Sequence, residues 1–366
     1  MSAQKLPIGV QSFQSLRESG YLYVDKTPYI EQLLRGKVYF LSRPRRFGKS
    51  LFLSTLAAYF RGQKELFKGL YLEKAEEELA QQEGREAWQE YTVLYLDLNT
   101  EYYRSEKDLD NILNIHLTAW EELYGKNEIE QTHSSRFKGI IERAYKKEQR
   151  EVVILVDEYD KPLYETLDNE VLNATYRGIL KGVFSVIKSS DEYLRFAFLT
   201  GITKFSKVSV FSGLNNLEDL SMDNEYAGIC GITEQELETY FSAYIRVLAE
   251  KKKLSYDETK KLLKENYDGY CFAAEGEKVY NPFSLLNILK KGQLKNYWFT
   301  TGTPTFLVNY LKKAHYFVPN LEGKVRLSET RFDSFRADIL DPLPILYHTG
   351  YLTIKGYDNE TDSYRL

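Results

Sequence analysis

The sequence predicts an α/β fold, with a mostly parallel sheet covered by helices on both faces. Three observations carry this. Four short apolar runs of strand length occupy residues 37–42, 92–98, 151–160 and 194–201. Helical patterns fill the stretches between them, and each parallel return needs a crossover of that kind. The third is RPRRFGKS, residues 43–50, which joins the first run to the helix after it.

The elements follow in order. Thr27 reads as the N-cap of a short helix over YIEQLL, with Pro28 in its first turn. KVYFLS is a buried strand, and LFLSTLAAYF, residues 51–60, is apolar on most sides and reads as a buried helix. TVLYLDL is the second strand, followed by helices over 107–124 and 135–149. EVVILVDEYD is the third strand, five apolar residues and then acids. A helix over 171–190 leads to the fourth, LRFAFLTG. These elements make residues 1–230 the core. At GITEQELETYFSAYI the pattern changes, and Thr233 and Glu236 form a capping-box signature. The lysine-rich helical stretch 231–290 reads as a lid. Residues 291–366 end in ILYHTGYLTIKGYDNETDSYRL, a helix and a two-stranded hairpin, which makes that segment winged-helix-like.

Composition narrows the function. The 366 residues are 43% hydrophobic and carry a net charge of −4, so no global basic field marks a dedicated nucleic-acid binder. No apolar run nears the roughly 20 residues of a membrane span, and MSAQKLPIGVQSF lacks a signal-peptide core. Two distant cysteines give no disulfide framework, and the chain reads as soluble and cytoplasmic. His116, His133, His315 and His348 are scattered without the spacing of a zinc site.

The loop carries the chemistry. In G-x-x-x-x-G-K-[ST], the phosphate loop or Walker A motif, backbone N–H groups and a helix N-terminus converge on an anion. Gly48 lets the backbone pass close to phosphates, Lys49 supplies a charge for the β- and γ-phosphates, and the Ser50 hydroxyl would bind magnesium. Arg43 stands where the motif has its first glycine, a position that eases the turn out of the strand, and Pro44 helps to fix that turn. The whole stretch Arg43, Pro44, Arg45, Arg46, Phe47, Gly48, Lys49, Ser50 and Leu51 is therefore the expected nucleotide-binding loop. Arg45 and Arg46 face the phosphates, a neighbouring subunit or solvent. The third strand ends in Asp157-Glu158, the Walker B pattern: Asp157 to hold magnesium, Glu158 to orient and deprotonate the attacking water. Both motifs lie at strand C-termini, where open α/β sheets bind ligands. Thr200, at the end of the fourth strand, is either a sensor of the terminal phosphate or a plain polar strand end. Thr203, Lys204, Asn99 and Thr100 are weaker candidates of the same kind.

With these residues in place, the chain resembles the AAA-ATPase-like family of bacterial P-loop NTPases. GYLYVDKTPYIEQLL, FLSRPRRFGKSLFLSTLAAYF, VVILVDEYDKPL, FLTGITKFSKVSVFSGLNNLEDLS, NYDGYCF, VYNPFSLLNIL and YHTGYLTIKGYD all look like it, in that order. The arginine-bearing loop is itself a hallmark of that family. The resemblance implies ATP and Mg2+ as ligands, with Lys49 and Ser50 on phosphate and metal, Asp157 on the metal and Glu158 acting on water. Asp25 and Lys26 match its VDKT motif, and lie either near the base or in the approach to the loop. Longer members continue into a nuclease-like domain of the PD-(D/E)XK superfamily. Residues 291–366 hold no Asp followed by a [DE]-x-Lys strand, so no nuclease site is expected in them.

The reading is thus an Mg2+-dependent ATPase that couples nucleotide state to a domain rearrangement, in DNA-related processes. The rival is a nucleotide-gated binding or regulatory module with little turnover. A DNA or protein client would engage the C-terminal part, where NYWFTTGTPTF offers aromatics for either base stacking or internal packing. The sequence leaves the oligomeric state open.

Overall fold

A computed structural model of the chain describes residues 4–204, 210–302, 305–313, 325–328, 331–332 and 341–366. Its centre is a five-stranded parallel sheet of β1 (Val38–Ser42), β2 (Thr92–Asp97), β3 (Val152–Asp157), β4 (Leu194–Gly201) and β5 (Glu218–Asp219), in the order β2-β3-β4-β1-β5. The strand before the loop and the strand bearing the acids are therefore not neighbours. β4 lies between them, with Leu41 beside Thr200 and Val156 beside Leu199.

Side-chain alternation along the strands divides the core into two layers. Val38 and Phe40 of β1, with Ile154 and Val156 of β3, face α5 (Glu106–Tyr124), α6 (His133–Glu148) and α8 (Glu170–Ser189). Tyr39, Leu41, Val153 and Leu155 face the opposite way, toward α1 (Phe13–Glu18), α2 (Pro28–Leu33), α3 (Lys49–Phe60) and α4 (Tyr71–Glu83). Helices cover both faces, as parallel strands require. The short helix α7 (Lys161–Glu165) follows β3 at the end of the sheet that carries the loop.

Beyond the sheet, α9 (Glu234–Lys252), α10 (Tyr256–Tyr267) and α11 (Pro282–Lys291) pack around Leu237, Phe241, Leu263 and Leu285. The capping box at the start of α9 forms: Glu236 N donates to Thr233 Oγ1 at 3.1 Å and Thr233 N to Glu236 Oε2 at 2.8 Å. Further on lie α12 (Tyr297–Gly302), α13 (Thr305–Lys313) and α14 (Pro342–His348). A small antiparallel sheet pairs Ser363–Arg365 with both Gly356–Asp358 and Arg326–Ser328. The expected helix and hairpin are present, with the third strand added from Arg326–Ser328. No helix among the described residues is long and apolar enough to cross a membrane.

One local expectation changes, and two details are added to the reading. Thr27 does not cap α2 through its side chain, because its hydroxyl donates to Asp25 Oδ1 at 2.7 Å and accepts from Leu72 N at 3.1 Å. β5, two polar residues at the sheet edge, is too short to carry a pattern. In NYWFTTGTPTF, Tyr297 and Trp298 are buried and Phe299 is exposed. Residues 303–304 of that stretch, the side chains of residues 300–306, and residues 205–209 of the fourth-strand motif lie outside the described residues.

Candidate phosphate-binding site

The loop leaves β1 at Ser42 and enters α3 at Lys49. Gly48 is the N-cap, at φ 103°, a left-handed conformation that a side chain would strain, and the space over it is open. The first intrahelical bond runs from Phe52 N to Gly48 O at 3.0 Å. The N–H groups of Lys49, Ser50 and Leu51 thus point out of the helix end, where its dipole favours an anion. Over them lies a cavity of about 480 Å³, within the usual range for ligand pockets. Arg45, Arg46, Lys49 and Lys161 line it against Glu158 and Glu165, a balance that favours an anion. The lining also includes apolar side chains, Ile8, Ile232 and Phe283 among them.

The acids sit beside the loop. Asp157 ends β3 and is 4% exposed. Its Oδ1 accepts from Thr200 Oγ1 at 2.7 Å, and Tyr95 OH lies 3.5 Å from Oδ2. Glu158 turns out of the strand at φ 55°, and Tyr159 N then bonds back to Thr200 O at 2.9 Å. Glu158 Oε1 lies 3.7 Å from Lys49 Nζ, which also donates to Arg43 O at 2.9 Å. Asp160 is fully buried and accepts from Thr203 N at 2.7 Å and Thr203 Oγ1 at 2.6 Å. Burial, and then the charge of Glu158, push its carboxyl up to about 6.

Of the residues expected at the site, Arg45, Arg46, Phe47, Gly48, Lys49, Ser50, Leu51 and Glu158 all border the one cavity. Phe47 does so from beneath, wedged edge-on against Tyr270 and Phe272. Arg43 does not point there. Its guanidinium is 1% exposed and turns away to donate to Ser42 O, Ser221 O and Tyr226 O at 2.9, 2.8 and 3.1 Å, with Phe272 stacked 4.4 Å away. Only its carbonyl, under Lys49, belongs to the site. Pro44 also faces away, against Gly350. Asp157 and Thr200 lie behind the cavity wall, and Thr200 reaches the site through Asp157.

The weaker candidates separate. Asn99 borders the cavity and its carbonyl accepts from Lys161 Nζ at 2.5 Å; Thr100 does not border it. Thr203 serves Asp160, and Lys204 pairs with Asp219 at 2.9 Å. Lys26 lines the cavity while tied to Gly228 O and Glu236 at 2.6–2.7 Å. Asp25 accepts from Thr27 N at 2.9 Å and Tyr71 N at 2.7 Å, so the VDKT motif binds the N-terminal segment to α4 and α9.

Sequence reasoning missed Tyr164, Lys161 and Trp298. Tyr164 OH accepts from Arg45 Nη2 at 3.0 Å, and Trp298 Nε1 donates to Arg45 O at 3.1 Å. The first two follow the acids directly in DEYDKPLY, which was the available signal. Trp298 had none, being 253 residues from its partner.

Comparison with known proteins bears on this arrangement. A family model described as a predicted AAA-ATPase matches residues 7–211, which include the loop, the acids and Thr200. The chain is 41% identical over 357 residues to a protein of Azotobacter chroococcum mcd 1 described as an uncharacterized protein in the vnfD 5′ region. That match covers 97% of this chain and 65% of the relative, so the chain spans less than two thirds of the relative's length. No solved structure matches the chain. With the match reaching from the N-terminal segment past β4, the chain belongs to the AAA-ATPase-like family.

Proposed function

We propose that the protein binds ATP at the Gly48–Leu51 turn and hydrolyses it with Mg2+. The observation that carries this is the meeting of Lys49 and Glu158, 3.7 Å apart, at one anion-favouring cavity. Lys49 would leave the carbonyls of its own loop for the β- and γ-phosphates. That removes the cation from Glu158 Oε1, and the carboxylate is then able to take a proton from the attacking water. The N–H groups of Lys49, Ser50 and Leu51 would hold phosphate oxygens.

The residues fit magnesium. Mg2+ keeps several waters and takes one or two protein oxygens along with substrate phosphates. Ser50, a hydroxyl at the helix start, borders the cavity, and Asp157, a carboxylate buried behind its wall and steadied by Thr200, would hold the ion through one of its waters. Among the described residues no group of three His, Cys, Asp or Glu forms a cage of its own. When bound, the ion would neutralise charge on the phosphate oxygens.

The test uses two variants. Lys49→Ala should weaken ATP binding at least about 10-fold. Glu158→Gln should keep binding and lose turnover by about 10²–10⁴-fold, the usual worth of a general base. Unchanged ATP affinity in Lys49→Ala would sink the assignment.

The second reading, a nucleotide-gated module with little turnover, is favoured by the way the loop is built into the C-terminal part through Trp298 and Phe272. Protein that purifies with stoichiometric ADP and turns over slowly would support it. In either reading residues 231–366 would move with the nucleotide and carry the contact with a DNA or protein client.

A further inference from the structure

Arg45 and Arg46 are neighbours in the loop but occupy different places. Arg46, at φ 71°, is exposed and lies over the ring of Phe283, an apolar residue of the cavity lining, at 4.9 Å. Arg45 is half-buried on the acid side. Its guanidinium lies over Tyr164 at 5.4 Å and donates to the Tyr164 hydroxyl at 3.0 Å. That hydroxyl lies 3.5 Å from Glu158 Oε2, and Glu158 Oε1 lies 3.7 Å from Lys49 Nζ. Guanidinium, phenol, carboxylate and ammonium thus form one chain, in which Arg45, Glu158 and Lys49 line the cavity and Tyr164 is buried.

Two comparisons separate Arg45 from a structural arginine. Arg43, fully buried, donates from both terminal nitrogens to three carbonyls and leaves only its Nε unpaired. The Arg45 side chain makes one hydrogen bond among the described residues, although a guanidinium has five N–H donors. Its position is also specific. Lys49 marks where the β- and γ-phosphates would rest and Glu158 marks where water would attack. A cation one hydroxyl away from Glu158 lies on the γ side.

We propose that Arg45 is a catalytic residue supplied by the phosphate loop itself, contacting the γ-phosphate in the transition state, and that Tyr164 positions it against Glu158. This rests on the hydrolytic reading above. In the step, the water oxygen forms a bond to the γ-phosphorus. The bond from that phosphorus to the β,γ-bridging oxygen breaks, and its electron pair leaves on ADP. The water proton passes to Glu158. Arg45 makes and breaks no covalent bond; it stabilises the negative charge spread over the γ-phosphoryl oxygens, as preorganised donors do. The Trp298 bond to its carbonyl fixes its backbone.

The experiment compares wild type, Arg45→Ala, Arg45→Lys and Tyr164→Phe in steady-state ATP turnover, in ATP binding, and in trapping of ADP with aluminium fluoride, a mimic of the transition state. Arg45→Ala should lose about 10²–10³-fold in kcat, as when one transition-state donor is removed, with ATP affinity within about fivefold and fluoride trapping abolished. Added guanidinium at low millimolar concentration should restore part of the rate. Arg45→Lys, which keeps the charge without the fork, should recover little. Tyr164→Phe should lose about tenfold in kcat at unchanged KM, the size of one hydrogen bond. Wild-type rate and trapping in Arg45→Ala would overturn the proposal, as would equal losses in rate and ATP binding without rescue. A wild type that traps ADP with aluminium fluoride but does not turn over would refute the hydrolytic reading. Trapping lost in Arg45→Ala would then still support contact at the γ position. A wild type that neither traps nor turns over would refute both.

Discussion

Replacing Arg43 by glycine would restore the ordinary phosphate-loop pattern, and the structure says it should damage the protein. Arg43 is not among the residues with positive φ, so its backbone needs no glycine. Its guanidinium serves two distant carbonyls, Ser221 O and Tyr226 O. Leaving each buried acceptor unpaired costs about 1–3 kcal/mol. Loss of the stacking on Phe272 adds up to about 2 kcal/mol. Against this, several kcal/mol spent on burying the cation are recovered. The net is a loss of about 3 kcal/mol, which for a chain of this length lowers Tm by about 4 °C, taking about 2 cal/mol/K per residue for the unfolding entropy. Thermal unfolding of wild type and Arg43→Gly, with ATP titrations on both, measures it. Stability within about 1 kcal/mol of wild type would refute the ledger. A stable variant with ATP affinity down more than tenfold would show that Arg43 serves the ligand and not the core.

Two further outcomes are expected. Thr200→Val keeps shape but removes the donor to Asp157 Oδ1, a charge-assisted bond worth about 1.5–3 kcal/mol. Turnover should fall about tenfold and half-saturating Mg2+ should rise, with ATP affinity little changed, all read from turnover against Mg2+ concentration. Asp160 has its folded pKa raised from 3.8 to about 6, so between those values the folded state holds the proton that the unfolded state has lost. Stability should then fall by roughly 2–3 kcal/mol as pH rises from about 4 to about 6 and level off above it. Asp160→Asn should flatten that decline in urea unfolding at a series of pH values, and an unchanged slope would rule Asp160 out as its source.

The strands were legible because β1, β3 and β4 are buried on both faces and read as unbroken apolar runs; their ends fell within a few residues. Gly48, Lys49 and Glu158 were legible because loop and acids occupy the ends of those runs. What stayed hidden depends on distance in sequence. Arg43 meets Ser221 and Tyr226 nearly 180 residues on, and Phe272 later still. From the sequence alone an arginine in a basic loop looks like a phosphate ligand. Thr200 reads there as either a sensor of the terminal phosphate or a plain polar strand end, because it ends a strand near the loop. The strand order puts β4 between β1 and β3, which brings its hydroxyl to Asp157, a partner the sequence did not indicate. The hydroxyl of Thr27 was claimed by Asp25, two residues before it, a competition that propensity alone does not register.

The packing of RPRRF also limits how far this motif can travel. In many proteins a phosphate loop is a portable cassette, sufficient in its own strand and helix. Here four of the first five members of the stretch are rooted elsewhere: Arg43 in Phe272, Pro44 in Gly350, the Arg45 carbonyl in Trp298, Phe47 in Tyr270 and Phe272. Grafted into another α/β sheet, the eight residues would bring a charge with no socket and an aromatic ring with no floor. Inheritance of the loop therefore entails inheritance of its sockets, so a change at 270, 272, 298 or 350 is a change in the candidate phosphate site although none of those residues belongs to either motif.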